Sequence, residues 1–139
     1  MAQLVRDVMT PNPVVLLATA SLVEAALAMR DFDIGAVIVI DNNQVCGILT
    51  DRDIVVRAIA GGNYPATMKV GEVCSRDLTA VSPTDTVEDV IRLMREKDIR
   101  RLPVVEGNHP VGIVSLGDLA IERDPESVLG DISAAPPNR

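Results

Sequence analysis

The sequence predicts a mixed α/β (α+β) fold, built as two pseudo-symmetric β-α-β-β-α repeats packed through their sheets. Three observations predict it. The chain matches itself without a gap when moved by sixty-five residues. Val5 falls on Val70, Met29-Arg30 on Met94-Arg95, Asp33-Ile34 on Asp98-Ile99, Asn43 on Asn108, and Gly47-Ile48 on Gly112-Ile113. A repeat of this period marks one structural unit used twice. Each copy also passes from a short apolar run to a 3.6-residue periodicity and back to apolar runs. Finally, each copy sets turn formers between its last two apolar runs, the signature of a hairpin.

The first repeat spans 4–60 and the second 70–124. GGNYPATMK, 61–69, joins them, and its glycines and proline read as a linker. The remainder, 125–139, is expected to be a partly disordered tail, most clearly in SAAPPNR at its end.

The elements follow in the same order in each copy. A helical turn opens it, at Leu4–Met9 and Val70–Cys74. A brief strand follows, at Val14–Leu17 and Thr79–Val81. Ser21 with Glu24, and Thr86 with Asp89, then have the spacing that starts a helix. Leu22, Ala25, Ala26 and Met29 share one helical face, as do Val87, Val90, Ile91 and Met94. Two strands come next, Ala36–Ile40 with Val45–Thr50, and Leu102–Val105 with Val111–Ser115. Asn42-Asn43 and Gly107-Asn108 turn between them. A last helix starts near Asp51 and near Leu116. AVIVI and VCGIL are apolar at nearly every residue, so each sheet should be covered on both faces, by helices on one side and by the other repeat on the second.

Composition narrows the function. At 139 residues and 47% hydrophobic, the chain is long enough for a real core, and with aromatics at 1% that core must be aliphatic. The formal net charge of −7 argues against nucleic acid as a partner, although a local basic pocket could hold a small anion. No stretch approaches the roughly 20 apolar residues that span a bilayer. MAQLVRDVMT does not read as a signal peptide. The expectation is a cytoplasmic protein with no membrane contact. Cys46 and Cys74 replace apolar residues of the other copy (Val111 and Met9) and read as core thiols, with a pairing or redox role left open. The lone His109 sits in a polar turn and is not a catalyst. Tyr64, in the linker, could stack on a base but reads as surface packing.

The chemistry-bearing pattern is GILTDRD, 47–53, which returns as GIVSLGD, 112–118. A strand ending in Thr50 or Ser115 and leading into a helix places a hydroxyl beside free backbone N–H groups, where anions are favoured. Asp53 and Asp118, three residues on, are acceptors suited to a diol such as a ribose. Gly47 and Gly112 would let a ligand or a neighbouring strand approach the backbone. The same residues also satisfy an ordinary capping box, in which Thr50 or Ser115 merely caps its helix.

In DIGAVIVIDNNQVCGILTDRDIV and DIRRLPVVEGNHPVGIVSLGDLA, with VMTPNPV and VSPTDTVEDVIRLM in support, the chain resembles a tandem pair of CBS (cystathionine-β-synthase) domains, a Bateman module. The resemblance covers about 4–124. It implies a non-catalytic regulatory or sensor module with no required cofactor. Such pairs bind an adenosine ligand (AMP, ADP, ATP or S-adenosylmethionine) in clefts between the repeats. It also implies a homodimer, with the helices carrying Leu22–Arg30 and Val87–Arg95 as contact surfaces. Because the repeats use up the chain, a protein partner is expected in trans. Ribose falls to Asp53 and Asp118 and phosphate to Thr50 and Ser115. Val15, Thr79 and Ala80 from the first strands, and Ala36, Arg100, Arg101 and Pro103 near the second, complete the expected lining. Arg100 and Arg101 can neutralise phosphate, whereas their counterparts Gly35 and Ala36 cannot. If each cleft combines both repeats, the arginines would serve the Thr50/Asp53 site, which on that ground ranks first. The other reading is a ligand-free interaction module of the same fold. No Ser-His-Asp set, metal spacing or Walker-type loop points to an enzyme.

Overall fold

A computed structural model describes residues 3–74 and 79–123, and the expected tail at 125–139 lies outside the described residues. The described residues divide into two compact units, one of 13–74 with 108–110, the other of 3–12, 79–107 and 111–123.

The unit beginning at Pro13 holds a three-stranded sheet in the order β2-β3-β4, with β2 Val15–Leu17, β3 Ala36–Asp41 and β4 Gln44–Thr50. Helix α2, Leu22–Phe32, precedes β3. It starts where the Ser21 hydroxyl accepts a hydrogen bond from the Glu24 N–H at 3.1 Å, and it ends at Asp33, whose φ of 60° gives the left-handed cap. Its inner face, Leu22, Ala25 and Met29, is buried against Val37, Val39 and Leu49. Ala36 to Val39 are buried at four consecutive positions, as expected of a strand covered on both faces. β2 runs parallel to β3, and β3 antiparallel to β4. Asn42 and Asn43, with φ of 53° and 62°, form the tight turn between them. After β4 comes α3, Asp51–Asp53, and then a π-helical stretch, Ile54–Ile59, where the Ala60 N–H reaches back to the Val55 carbonyl. The sequence predicts the helix start but not this widening. Ile54 and Ala58 point inward from it.

The other unit repeats the plan with α5 Val87–Lys97, β5 Arg101–Glu106, β6 His109–Ser115 and α6 Leu116–Arg123. Its core is Val81, Val87, Val90, Met94, Leu102, Val104, Val114 and Leu119, together with Val5. The expected strand at Thr79–Val81 is reduced to one parallel bridge, Val81 to Val104. The Val81 N–H donates to the Pro103 carbonyl at 3.1 Å, so Pro103 keeps a ladder bond although its ring nitrogen has no hydrogen to give.

The compact units cut across the sequence repeats chiefly at the opening turn of each repeat. Each repeat's opening turn packs on the core of the other repeat. Helix α1, Val5–Val8, joins the unit of α5: the Val5 N–H donates to the Asp85 carbonyl at 2.9 Å, and the Val87 N–H to the Gln3 carbonyl at 3.0 Å. Helix α4, Val70–Val73, joins the unit of α2 in the same way. The Val70 N–H donates to the Ala20 carbonyl at 2.8 Å, and the Leu22 N–H to the Met68 carbonyl at 3.0 Å. Sequence boundaries follow duplication, whereas compact units follow burial, and Val5 and Val70 are fully buried where they land. Strand β1, Thr10–Pro11, then pairs with β6, setting Pro11 opposite Gly112. A Cβ at Gly112 would lie 2.6 Å from the Met9 sulfur and 2.8 Å from the Thr10 carbonyl oxygen, so this glycine admits a neighbouring strand. Cys74 is buried and Cys46 half-buried, both against the core of the α2 unit.

Candidate ligand-binding clefts

In the α5 unit, four of the expected site residues come together. Arg100, Arg101, Ser115 and Asp118 line one cleft of about 340 Å³, with Leu116 and Gly117. That size lies at the small end of ligand pockets, roughly 300–1,000 Å³. Local backbone bonding explains the convergence. Strand β6 ends at Ser115 and α6 begins at once, and the Leu116 N–H donates to the Arg100 carbonyl at 2.8 Å. That bond ties the residue entering β5 to the first turn of α6, setting both arginines beside the helix start.

Ser115 and Asp118 also bond each other. The Asp118 N–H donates to the Ser115 hydroxyl at 3.1 Å, and the Ser115 N–H to Asp118 Oδ2 at 2.9 Å. The capping box is therefore real, and it uses a single oxygen of the carboxylate. A second, more apolar hollow of about 230 Å³ shares Arg100 and Leu116 with the cleft and runs toward Ile91, Met94 and Ile99.

The equivalent residues of the α2 unit share the frame but not the chemistry. Ala36 is the cross-strand partner of Thr50, and the Asp51 N–H donates to the Gly35 carbonyl at 3.0 Å. The capping box recurs, with Asp53 to Thr50 bonds of 2.9 and 3.1 Å. Two differences follow. Asp51 places a carboxylate in the first turn, where its Oδ1 accepts the Arg52 N–H at 2.8 Å, so one of the amides an anion would use is already taken. In addition, Arg57 lies 3.8 Å from the second oxygen of Asp53 and donates to the Val73 carbonyl at 3.2 Å. Leu116 and Gly117, at the positions of Asp51 and Arg52, carry no charge.

The remaining expected residues are not among those that line this cleft. Val15 stands on β2 opposite Ile38 and is partly exposed. Ala80 lines a separate hollow of about 310 Å³, with Asp85, Asp89, Arg92 and Glu96. Thr79 precedes it, and Pro103 is buried within β5. Sequence reasoning missed Leu116, Gly117 and Arg57. The first two fill the variable positions of the repeated motif, where the signal was the loss of charge from Asp51-Arg52 to Leu116-Gly117. Arg57 was legible as the residue one helical turn beyond Asp53. Among the described residues, no group of three His, Cys, Asp or Glu side chains could hold a metal ion. No helix among them is long and apolar enough to cross a membrane.

Comparison with known proteins adds the following. The family model described as CBS domain matches residues 5–59 and again 70–123. The CBS domain-containing protein YhcV of Bacillus subtilis is 40% identical over 119 residues, covering 86% of this chain and 84% of that protein. A solved structure of Hypoxic Response Protein I with two coordinated zinc ions is 33% identical, with a TM-score of 0.75, covering 85% of this chain and 97% of that one. The CBS domain pair of protein MJ0100, solved with 5′-methylthioadenosine and S-adenosyl-L-methionine, superposes with a TM-score of 0.80 over 91% of this chain and 100% of that one. At 24% identity, that likeness is one of fold.

Proposed function

The chain belongs to the CBS-domain family, and on that premise we propose that it is a non-catalytic regulatory module. It binds an adenosine nucleotide (AMP, ADP or ATP) and passes the signal to a protein partner in trans. The observation that supports this reading is the meeting of Arg100, Arg101, Ser115 and Asp118 in one cleft at the start of α6. Two guanidinium groups and a helix N-terminus suit phosphate, and a carboxylate with an oxygen outside the cap suits a ribose diol. The Thr50/Asp53 site ranks second in this reading, reversing the expectation from sequence. Its helix start carries Asp51, and Arg57 lies at 3.8 Å from the oxygen of Asp53 that the cap leaves over. S-adenosylmethionine, whose sulfonium carries positive charge, suits the Thr50/Asp53 site better than the arginine-lined one. The module acts as a homodimer in the cytoplasm.

A second reading, a ligand-free interaction module, is favoured by one fact. Both capping boxes give each hydroxyl and one oxygen of each carboxylate a partner without any ligand.

Calorimetric titration of the full chain with AMP, ADP, ATP and S-adenosylmethionine separates the two readings. Saturable binding of a nucleotide, weakened by Arg100→Ala, supports the sensor. Absence of heat with all four, together with an unchanged melting temperature, would leave only the interaction module. A ligand at about a hundred times its Kd should add roughly 2.7 kcal/mol to stability.

A further inference from the structure

Helix α5 ends at Asp98, whose φ of 53° gives a left-handed cap, and the Ile99 N–H then donates to the Met94 carbonyl at 3.1 Å. The chain turns back on itself there. Met94 and Ile99 come to line one hollow of about 230 Å³, with Ile91 of the same helix and Leu116 and Leu119 of α6. Met94 and Leu119 belong to the buried core, and Ile91 and Ile99 pack against it. Leu116, which the hollow shares with the arginine cleft, is 44% exposed.

Two observations set this hollow apart from ordinary loose packing. First, it is aliphatic and yet joins the cleft at Arg100, so an apolar space and a cation meet at one residue. Its charged groups, Arg95, Asp98 and Arg100, leave a net positive charge. Second, the first repeat has a different set of side chains on the same backbone. Asp33 makes the same left-handed cap, and the Ile34 N–H donates to the Met29 carbonyl at 3.0 Å. The positions of Ile91, Arg100 and Leu116, however, are held there by Ala26, Gly35 and Asp51. Apolar bulk and cation are both replaced, and a carboxylate stands where the exposed leucine would be.

We propose that the hollow and the arginine cleft together bind an anion carrying a short alkyl chain. The phosphate or carboxylate head sits on Arg100 and Arg101 at the start of α6, where charge-assisted hydrogen bonds hold it. The chain lies among Met94, Ile99 and Leu119, where it leaves water. A lining without aromatic rings suits a flexible chain, and the unbranched Met94 can follow its shape. Leu116 covers the junction between head and chain. Such a ligand and a nucleotide would compete for Arg100, so either excludes the other.

Calorimetric titration of the full chain with methyl, butyl and hexyl phosphate, each below its micelle concentration, tests this. Binding should saturate at one ligand per chain, and affinity should rise roughly three- to fourfold for each buried methylene. Ile91→Trp, which fills the hollow, should bring hexyl phosphate down to the affinity of methyl phosphate. Spectra of methyl-labelled methionine keep the test independent of any variant. Hexyl phosphate should shift the Met94 signal, methyl phosphate should not, and Met29 in the other repeat should respond to neither. An affinity indifferent to chain length, or a Met94 signal unmoved by hexyl phosphate, overturns the proposal. If ATP binds while the alkyl series stays flat, the nucleotide reading stands and the alkyl site falls. A rising series with no heat from ATP supports the alkyl site and removes the nucleotide reading.

Discussion

Ser115 and Asp118 hold each other across the first turn of α6, with hydroxyl to amide at 3.1 Å and carboxylate to amide at 2.9 Å. The proposed nucleotide site uses the same two residues, so capping and binding must be separated experimentally. Asp118→Asn keeps an acceptor for the Ser115 N–H but removes the charge, whereas Asp118→Ala removes both. Asp118→Ala should cost about 1 kcal/mol of stability through the lost cap. Asp118→Asn should cost clearly less. Both should weaken nucleotide binding by roughly 10- to 100-fold, because a charge-assisted hydrogen bond contributes about 1.5–3 kcal/mol. Chemical denaturation together with titration reads the two effects apart. Normal affinity in Asp118→Asn would remove the ribose role.

Arg100 and Arg101 should distinguish ligands by charge. Arg100→Ala and Arg101→Ala should each weaken ATP binding by roughly tenfold or more and leave adenosine binding nearly untouched, since a charged hydrogen bond is lost only where a phosphate accepts it. Raising ionic strength should lower ATP affinity in wild type and do so less in either variant. Equal losses for adenosine and ATP would mean that the arginines shape the cleft rather than read phosphate. The Asp51→Leu change, which gives the first repeat the neutral residue of the second, should raise nucleotide binding at the Thr50/Asp53 site.

Most of the fold was legible because local chemistry agrees with it at each step. Ser21 and Thr86 start the helices at the expected residues, and Asn42-Asn43 makes the expected turn. The exchange of opening turns was not legible. Val5 and Val70 look alike in sequence, and nothing local says which core receives them. The π-helical widening after Asp53 was hidden for a related reason, since its apolar residues fit a 3.6-residue period nearly as well. In the candidate cleft, spacing singled out Ser115 and Asp118 in advance, but spacing is blind to which arginine lies beside which helix. That depends on the long-range bond from Leu116 to Arg100.

Gly112 should tolerate no side chain. Gly112→Val would push against the Met9 sulfur at 2.6 Å, which can move, and against the Thr10 carbonyl oxygen at 2.8 Å, which belongs to the paired strand. The expected result is loss of the β1–β6 pairing and destabilisation by about 1–3 kcal/mol, typical of overpacking. Gly112→Ala should show a smaller loss. A melting temperature unchanged in Gly112→Val would show that β1 does not lie against β6 as described.

The exchanged opening turns make the most distinctive prediction. Val5 belongs to the first repeat but is fully buried among Val81, Val87 and Leu102 of the second. Val5→Ala removes two methyl groups' worth of packing and should cost roughly 1.5–3 kcal/mol. Hydrogen exchange should register the cost first in the unit that Val5 joins. Protection should fall at Leu102, Val104 and Val114 before it falls at Val37, Val39 and Leu49. Val70→Ala should produce the mirror pattern, because Val70 packs with Leu22 and Leu49. If Val5→Ala instead exposed β3 and β4 first, the opening turn would belong to its own repeat, and the assignment of α1 to the α5 core would be wrong.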